Sequence, residues 1–172
     1  MRLDDDDFTL FGLPPRQAQD RAAIDARWRA LQAEVHPDRF AAEGAAAQRV
    51  AMQWAVRVNE AYRRLKDPLA RATGLCGMRG VPVRAEDNTA MPADFLQQQM
   101  AWREALDEAE TQSAVEALEA EVRADETRRF AAVTSALDEQ NDPAAAAQQV
   151  RALMFLARIR QELTRRLDAY PN

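Results

Sequence analysis

The sequence predicts an all-α protein, in which an N-terminal helical hairpin is followed by a C-terminal antiparallel three-helix bundle. The first observation is the composition, because alanine, leucine, arginine and glutamate dominate and only five of the 172 residues are glycine. These abundant residues are good helix formers, whereas strands favour β-branched and aromatic residues. The second observation is that apolar residues recur every three or four positions in long segments. The third is that prolines and glycines separate these segments.

The first long segment predicts a helix that begins after Asp20, as N-cap, and runs to about Val35. Pro37 disfavours helical backbone in the residue before it, so this helix has to end at His36. Upstream, residues 8–15 form a short apolar segment that ends in a Gly/Pro turn. The apolar residues of the helix fall within about 60° on a helical wheel and predict one narrow buried stripe: Ile24, Trp28, Leu31 and Val35.

A loop through Gly44 leads to a second predicted helix from about Ala46 to Lys66. Asp67-Pro68 ends it, and residues 69–75 are compatible with a short further helix. Two helices joined by an exposed loop form an antiparallel hairpin. The predicted apolar face of the second helix consists of Val50, Trp54, Val58, Ala61 or Tyr62, and Leu65.

The remaining chain predicts a linker and a bundle. Residues 76–91 contain two glycines, a proline and a polar stretch, and three helical patterns follow at about 92–110, 113–139 and 144–169. Asp142 is the expected N-cap of the last helix, with Pro143 at its first position. Short links between three helices favour an antiparallel bundle. The predicted domains are therefore 1–75, a linker at 76–91, and the bundle at 92–172.

Charge and cysteine content restrict the class of partner. Residues 1–75 carry twelve basic and eleven acidic side chains, whereas residues 76–172 carry eleven and seventeen. An acidic second half argues against nucleic acid and against an anionic membrane as partner. Cys76, the single cysteine, cannot form an internal disulfide and fits a reducing cytoplasm, where small apolar filler is its expected role. The acidic start of the chain and the lack of a long apolar run predict no signal peptide and no membrane span.

The tripeptide His36-Pro37-Asp38 is the most informative motif. A tripeptide can occur by chance, but this one lies in a loop between two amphipathic helices, and the run Asn59–Pro68 ends the second helix with Ala-Tyr-Arg-Arg-Leu-Lys-Asp-Pro. In this arrangement the sequence resembles the J-domain family. The resemblance implies that the tripeptide engages the ATPase domain of a DnaK-type chaperone and triggers hydrolysis there, so the chain itself is not expected to be an enzyme.

Physical chemistry makes these three residue types reasonable for docking. Proline stiffens the loop and lowers the entropy lost on binding. The aspartate carboxylate can pair with an arginine of the partner, and the histidine ring can supply a directional hydrogen bond. J-domains also present basic residues on the helix before the loop. Here Arg29 faces away from the buried stripe and Arg27 lies nearer its edge. Scattered solvated arginines would explain both, but the resemblance implies that they contribute to chaperone binding.

Further segments resemble the HscB family, the bacterial-type J-domain co-chaperones of iron–sulfur cluster assembly, over nearly the whole chain. The family implies two partners, the dedicated chaperone HscA and the scaffold protein IscU, and no metal or cofactor bound by this chain. The matching segments are Phe8–Pro14, His36–Phe40, Pro68-Leu69-x-Arg71-Ala72, Phe95-Leu96 and Arg103-Glu104-x-Leu106-Asp107-Glu108.

Three apolar residues of the bundle lie outside the predicted core stripes. Leu96 and Met100 fall about 100° and 140° from the centre of their helix's stripe, and Phe155 about 100° from that of the last helix. Burial between three helices would explain them, but in the HscB family the matching positions belong to the patch that binds the scaffold protein. Gln97 departs from the family, which favours an apolar residue there. The predicted stripes are Phe95, Trp102, Leu106 and Ala109 on the first helix, and Val150, Leu153, Leu156, Ile159, Leu163 and Leu167 on the last.

Other functions have less support. An enzyme has little support, because the chain contains one histidine, one cysteine and no glycine-rich phosphate loop. The main alternative is a J-domain co-chaperone that recruits a different client to a general DnaK-type chaperone. A third is a helical adapter in which the His-Pro-Asp tripeptide has no role.

Overall fold

A computed structural model describes residues 1–171 and confirms the all-α fold, with no strand in that range. The chain divides into two compact units, the first at Met1–Leu75 and the second beginning at Cys76. Of the predicted range 92–172, only Asn172 lies outside the described residues. The helices are α1 (Asp7–Phe11), α2 (Arg21–Val35), α3 (Ala45–Lys66), α4 (Pro68–Met78), α5 (Ala93–Glu108), α6 (Gln112–Thr134) and α7 (Pro143–Asp168), with a 3₁₀ helix at Pro37–Glu43 and a π-helical turn at Ser135–Glu139.

The predicted N-cap residues form the expected hydrogen bonds at the starts of α2 and α7. The Asp20 side chain accepts a hydrogen bond from the backbone N–H of Ala22 (3.0 Å), and Asp142 accepts one from Ala145 (3.0 Å), with Pro143 at the first position of α7. Each cap satisfies one of the N–H groups that a helix start leaves without an intrahelical partner.

The leading apolar segment is itself a short helix, α1, and not only a turn. Asp6 caps it by accepting from the N–H of Thr9 (3.0 Å), and Gly12 ends it with a left-handed backbone, φ +64°. The sequence analysis predicted only a short apolar segment that ends in a turn, because five residues show too little periodicity to indicate a helix.

The helices α2 and α3 pack against each other to form the core of the first unit. The predicted stripe is confirmed for Ile24, Leu31 and Val35, but the α3 stripe was partly wrong, because Val50 is 51 % exposed and Ala51 is buried in its place. Successive helical residues are about 100° apart, so the face set by the buried residues Val58 and Leu65 excludes one of these two neighbours.

Trp28 was also predicted to be buried, and it is only half-buried. Its ring stacks on that of Tyr62 with centroids 4.6 Å apart, and its indole N–H donates to the side-chain oxygen of Asn59 (2.9 Å). The Tyr62 hydroxyl in turn donates to Asp25 (2.8 Å). The indole therefore packs at the edge of the α2–α3 seam, because its polar atom requires a hydrogen-bond partner.

In the second unit, α6 packs along α7, and α5 packs on α6. The predicted α5 stripe is confirmed, since all four of its residues are buried. On α7, four of the six predicted residues are buried, whereas Ile159 and Leu167 are half-buried. The end of α5 is capped from α7 by the Arg166 guanidinium, which donates to the carbonyl oxygens of Leu106 (2.9 Å) and Ala109 (2.6 Å). These carbonyls lack intrahelical partners, so a cation is favourable there.

The segment predicted as a linker is packed into the second unit. Its first residues continue α4 to Met78, and the Val83 side chain is buried. Arg151 of α7, itself buried, donates from Nε to the carbonyl oxygen of Val83 and from Nη1 to that of Ala90, both at 2.9 Å. Cys76 is buried, as expected for an apolar filler, and burial raises the pKa of its thiol.

Candidate functional site

A 3₁₀ helix, Pro37–Glu43, stands where a loop was predicted, and the His36-Pro37-Asp38 tripeptide forms its N-cap and its first two residues. His36 precedes it with an extended backbone (φ −60°, ψ 127°), which is the conformation that a following proline requires. Pro37 occupies the first position, where its missing N–H is not needed. The His36 ring completes the start, because Nδ1 accepts the backbone N–H of Asp38 at 3.2 Å.

This cap determines what the tripeptide offers to solvent. Since Nδ1 is used as an acceptor, the neutral ring carries its proton on Nε2 and presents a hydrogen-bond donor. The His36 side chain is 54 % exposed and that of Asp38 is 92 % exposed. The motif therefore presents one donor and one exposed carboxylate on a stiff backbone, with an Asp38 carboxylate oxygen 3.6 Å from Nδ1 of His36.

Two further side chains hold the tripeptide in place. Arg39 donates to the carbonyl oxygen of Ala33 (3.0 Å), which satisfies an acceptor at the end of α2. Phe40 is half-buried and lines an apolar cleft of about 350 Å³ beneath the 3₁₀ helix. The other lining residues are Val35, Glu43, Ala47, Val50, Ala51 and Trp54.

The two arginines expected on α2 have different environments. The Nε of Arg27 donates to the carbonyl oxygen of Phe11 (2.8 Å), so this guanidinium ties α2 to the end of α1. Arg27 and Arg29 are both exposed to solvent, so Arg27 remains accessible beside this contact. The sequence analysis placed Arg27 nearer the edge of the buried stripe, but this hydrogen bond was not predicted because α1 was not foreseen.

In the second unit, Leu96 and Met100 lie side by side on the outer face of α5, 50 % and 69 % exposed. Gln97 is exposed beside them. Isolated exposed apolar residues are ordinary, but two large ones within a single helical turn form a small patch. Both were predicted to lie outside the core because their positions on the helical wheel are far from the core stripe.

Phe155 does have a place in the bundle, which differs from the expectation. It is half-buried, and its ring meets that of Phe95 edge to face, with centroids 5.9 Å apart. It also lines a narrow cleft of about 50 Å³ between α5 and α7. Gln99 and Arg103 line the same cleft, and each lies about 60° around α5 from Leu96 or Met100. The exposed pair therefore lies about 60° around α5 from residues that share a cleft with Phe155.

Acidic residues continue the row of Leu96 and Met100 along α5. Glu104 and Glu108 follow at intervals of four residues and both are exposed. The spacing of four residues from Met100 is the sequence signal that places both carboxylates beside the patch.

Neither unit contains a metal centre among residues 1–171, where no three His, Cys, Asp or Glu side chains come together suitably. No helix in the described part of the chain is long and apolar enough to cross a membrane. A histidine and an aspartate are presented on either side of Pro37, between two packed helices, and a helical bundle with its own exposed patch follows. This combination is typical of the J-domain co-chaperones.

Comparisons with known proteins specify the family. Residues 91–164 match the family model described as the HSCB C-terminal oligomerisation domain. A protein of Cupriavidus taiwanensis named co-chaperone protein HscB homolog is 51 % identical over 170 residues, which cover 97 % of this chain and 96 % of the relative. A relative of the same name from Burkholderia multivorans is 50 % identical, over 96 % of each chain. The chain belongs to the HscB family of co-chaperones.

Solved structures agree with this family. The structure of chaperone HscB from Vibrio cholerae superposes with a TM-score of 0.80 at 34 % identity and covers 95 % of this chain and 98 % of its own. The crystal structure of human co-chaperone protein HscB gives a TM-score of 0.87 at 26 % identity, over 96 % of this chain and 84 % of its own. The similarity therefore includes both units.

Proposed function

We propose that this chain stimulates the ATPase of the dedicated DnaK-type chaperone HscA and delivers the scaffold protein IscU to it, which promotes iron–sulfur cluster assembly and transfer. The observation that carries the proposal is the exposed tripeptide on a hydrogen-bonded 3₁₀ helix, with Asp38 92 % exposed. The membership of the HscB family supports both proposed partners.

The first step is docking of the tripeptide on the ATPase domain of the chaperone. Asp38 pairs with a cationic side chain of the chaperone, and the Nε2–H of His36 donates to an acceptor there. Because Nδ1 of His36 and the ring of Pro37 already order this segment, little conformational entropy is lost on binding. Arg29 adds attraction for an acidic surface, whereas the guanidinium of Arg27 is held by its hydrogen bond to α1. The hydrolysis itself takes place in the chaperone.

The second step is capture of IscU by the bundle. Leu96 and Met100 bury their exposed surface against an apolar part of the scaffold protein, with Phe155 as the partly sunken neighbour. Gln97 makes this patch more polar than that of the family. Glu104 and Glu108 extend it with negative charge and favour a basic rim on the bound protein.

The ATPase rate of HscA with this chain tests the first step. We expect stimulation by the wild type and its loss in His36→Gln and Asp38→Asn. Glu34→Gln is the matched control for Asp38, because it removes an exposed carboxylate from the preceding helix and leaves the tripeptide intact. Stimulation of DnaK but not of HscA would replace the proposal by the alternative of a co-chaperone that serves a general chaperone and a different client. Stimulation that persists in Asp38→Asn would remove the role of the tripeptide.

Calorimetric binding of IscU tests the second step. Leu96→Ala combined with Met100→Ala is expected to weaken binding at least about tenfold, as truncation of central apolar anchors does. Met78→Ala is the matched control, since Met78 is also 50 % exposed and lies in α4. Equal affinities of the double variant and the control would overturn the assignment of the patch.

A further inference from the structure

Arg129 of α6 connects all three helices of the bundle through one buried guanidinium. Its side chain is 5 % exposed. Nε donates to Asp125 of the same helix (2.6 Å), Nη1 to Gln149 of α7 (3.0 Å) and Nη2 to Asp94 of α5 (3.2 Å). Each arm of the planar guanidinium thus has a different acceptor, which a lysine ammonium cannot reproduce.

The same guanidinium lies over an aromatic ring of α5. Its central carbon is 4.6 Å from the centroid of Phe95, a cation–π distance. The Phe95 ring meets Trp102 edge to face at 6.2 Å and Phe155 at 5.9 Å. One buried cation therefore contacts the ring that supports Phe155 of the proposed patch.

The start of α5 is held in the bundle by the fully buried Phe95 side chain. Pro92 occupies the N-cap position and no side chain caps the helix there. Asp94 lies in the first turn and is 77 % exposed, so its bond to Arg129 holds an otherwise solvated residue onto α6. Leu96 follows two residues later. The bond to Arg129 therefore adds to the burial of Phe95 in setting the orientation of the first turn, which carries Leu96.

We propose, on the basis of the proposed function, that Arg129 is a positioning residue for scaffold binding: it orients the first turn of α5 and the Phe95 ring so that Leu96 and Phe155 form one surface. Arg129 does not itself reach the bound protein, because it is buried. Asp94 acts through Arg129 and not through a contact of its own with IscU. This separates a positioning role from a direct one.

The test is a double-mutant cycle in the full-length protein, read out as the dissociation constant for IscU. Asp94→Asn is the first variant, since an exposed residue can be replaced without loss of folding. We expect it to weaken binding about threefold to fivefold, within the range of coupling energies for contacting residues. In the Arg129→Met background, Asp94→Asn is expected to have no further effect. A direct contact of Asp94 with IscU would instead give the same loss in both backgrounds and would overturn the proposal.

Matched controls separate positioning from general stability. Asp87→Asn removes another exposed aspartate paired with an arginine at 3.0 Å, and Arg160→Met removes an α6–α7 ion pair that does not involve α5. Both are expected to leave the affinity within about twofold. Measurement by calorimetry is made well below the unfolding temperature of each variant, and circular dichroism verifies that Arg129→Met is folded. If Arg129→Met is unfolded, Arg129→Lys takes its place, because it keeps the charge and loses the forked contacts.

The outcomes distinguish this inference from the proposed function. If Leu96→Ala with Met100→Ala abolishes binding but Asp94→Asn leaves the affinity unchanged, the patch is correct and the positioning role is wrong. If the wild type does not bind IscU at all, both fail. Scaffold-independent stimulation of the HscA ATPase is expected to be unchanged in every variant of this set, because the substitutions lie in the second unit. Its loss in Asp94→Asn would contradict the account.

Discussion

Asp7 of α1 ties the N-terminal segment to α3, and its replacement by asparagine gives a stability change with a defined pH dependence. The carboxylate accepts three hydrogen bonds, one from Nη1 of Arg57 (2.8 Å) and two from Nε and Nη2 of Arg64 (2.7 and 2.9 Å). The Asp7 and Arg57 side chains are each only 16 % exposed. Asparagine at this position would keep the shape of the side chain and remove the negative charge.

The size of the stability loss depends on which hydrogen bonds each arginine keeps after Asp7 is replaced. Arg57 still donates to the carbonyl oxygens of Leu3 (3.1 Å) and Asp5 (2.6 Å), so its charge loses one of three acceptors. Arg64 is 49 % exposed, and water replaces much of its interaction. A hydrogen bond to a charged group contributes about 1.5–3 kcal/mol, and an exposed pair contributes less than about 1 kcal/mol. We therefore expect Asp7→Asn to lower the free energy of unfolding by about 2 kcal/mol at pH 7.

The pH dependence has one sign. Burial by itself would raise the pKa of the Asp7 carboxyl, but the hydrogen bonds from Arg64 and Arg57 outweigh it and hold the pKa below its ordinary value. An aspartate with a lowered pKa in the folded state stabilises the protein above its unfolded-state pKa of about 3.9. That contribution is lost as the pH falls through the folded-state pKa. The difference between wild type and Asp7→Asn is thus full at pH 7 and becomes small as the carboxyl protonates.

Urea unfolding, followed by the fluorescence of Trp28 and Trp54 in a Trp102→Phe background, reports the first unit and measures this difference. Asp4→Asn is the control, because Asp4 is 70 % exposed and its partner Arg2 is 75 % exposed. The control is expected to change the free energy by less than about 0.5 kcal/mol. Equal effects of the two substitutions at pH 7, or a difference for Asp7→Asn that persists undiminished well below its folded-state pKa, would refute the reasoning.

Three further predictions concern the stability of variants with one or two substitutions. Trp102→Phe is expected to leave thermal stability unchanged or higher, because its buried indole N–H has no acceptor among the described residues, whereas Trp28→Phe loses a hydrogen bond and about 1 kcal/mol; the reverse order of melting temperatures would contradict this. Arg166→Met is expected to lower the free energy of urea unfolding by about 1–2 kcal/mol, since the last carbonyls of α5 lose their donors; an unchanged midpoint would refute that cap. Leu96→Ala with Met100→Ala is expected to leave the melting temperature within about 2 °C, because both side chains are exposed; a large decrease would place them in the core.

Local sequence signals predicted the elements that depend on neighbouring residues. The caps at Asp20 and Asp142 and the break at Pro37 each arise from contacts within three residues, so the sequence contains the whole cause. The stripe on α5 was predicted for the same reason, since a helix exposes its periodicity directly. Leu96 and Met100 were identified as surface residues by subtraction from that stripe.

Long-range pairs of polar side chains were not predictable in the same way. Arg129 and Asp94 are 35 positions apart. Spacing places Arg129 in the buried row of α6, four residues before Val133, but it does not show which residues of α5 and α7 the guanidinium contacts. The hydrogen bond from Arg27 to Phe11 was missed because α1 was not foreseen. Phe155 was placed outside the stripe of its own helix, but the ring that supports it belongs to α5. Such contacts are set by which helices meet, and that information is not local.

We propose that this protein joins the chaperone and the scaffold protein through two separate sites. The most direct measurement is the steady-state ATPase rate of HscA with this chain and IscU added singly and together. If binding at the two sites is coupled, as proposed, the rate with both proteins exceeds the sum of the two separate stimulations. That excess is expected to disappear in Leu96→Ala with Met100→Ala, while stimulation by the chain alone remains, and His36→Gln is expected to abolish both. An excess that survives in the double variant, or no excess in the wild type, would contradict the account.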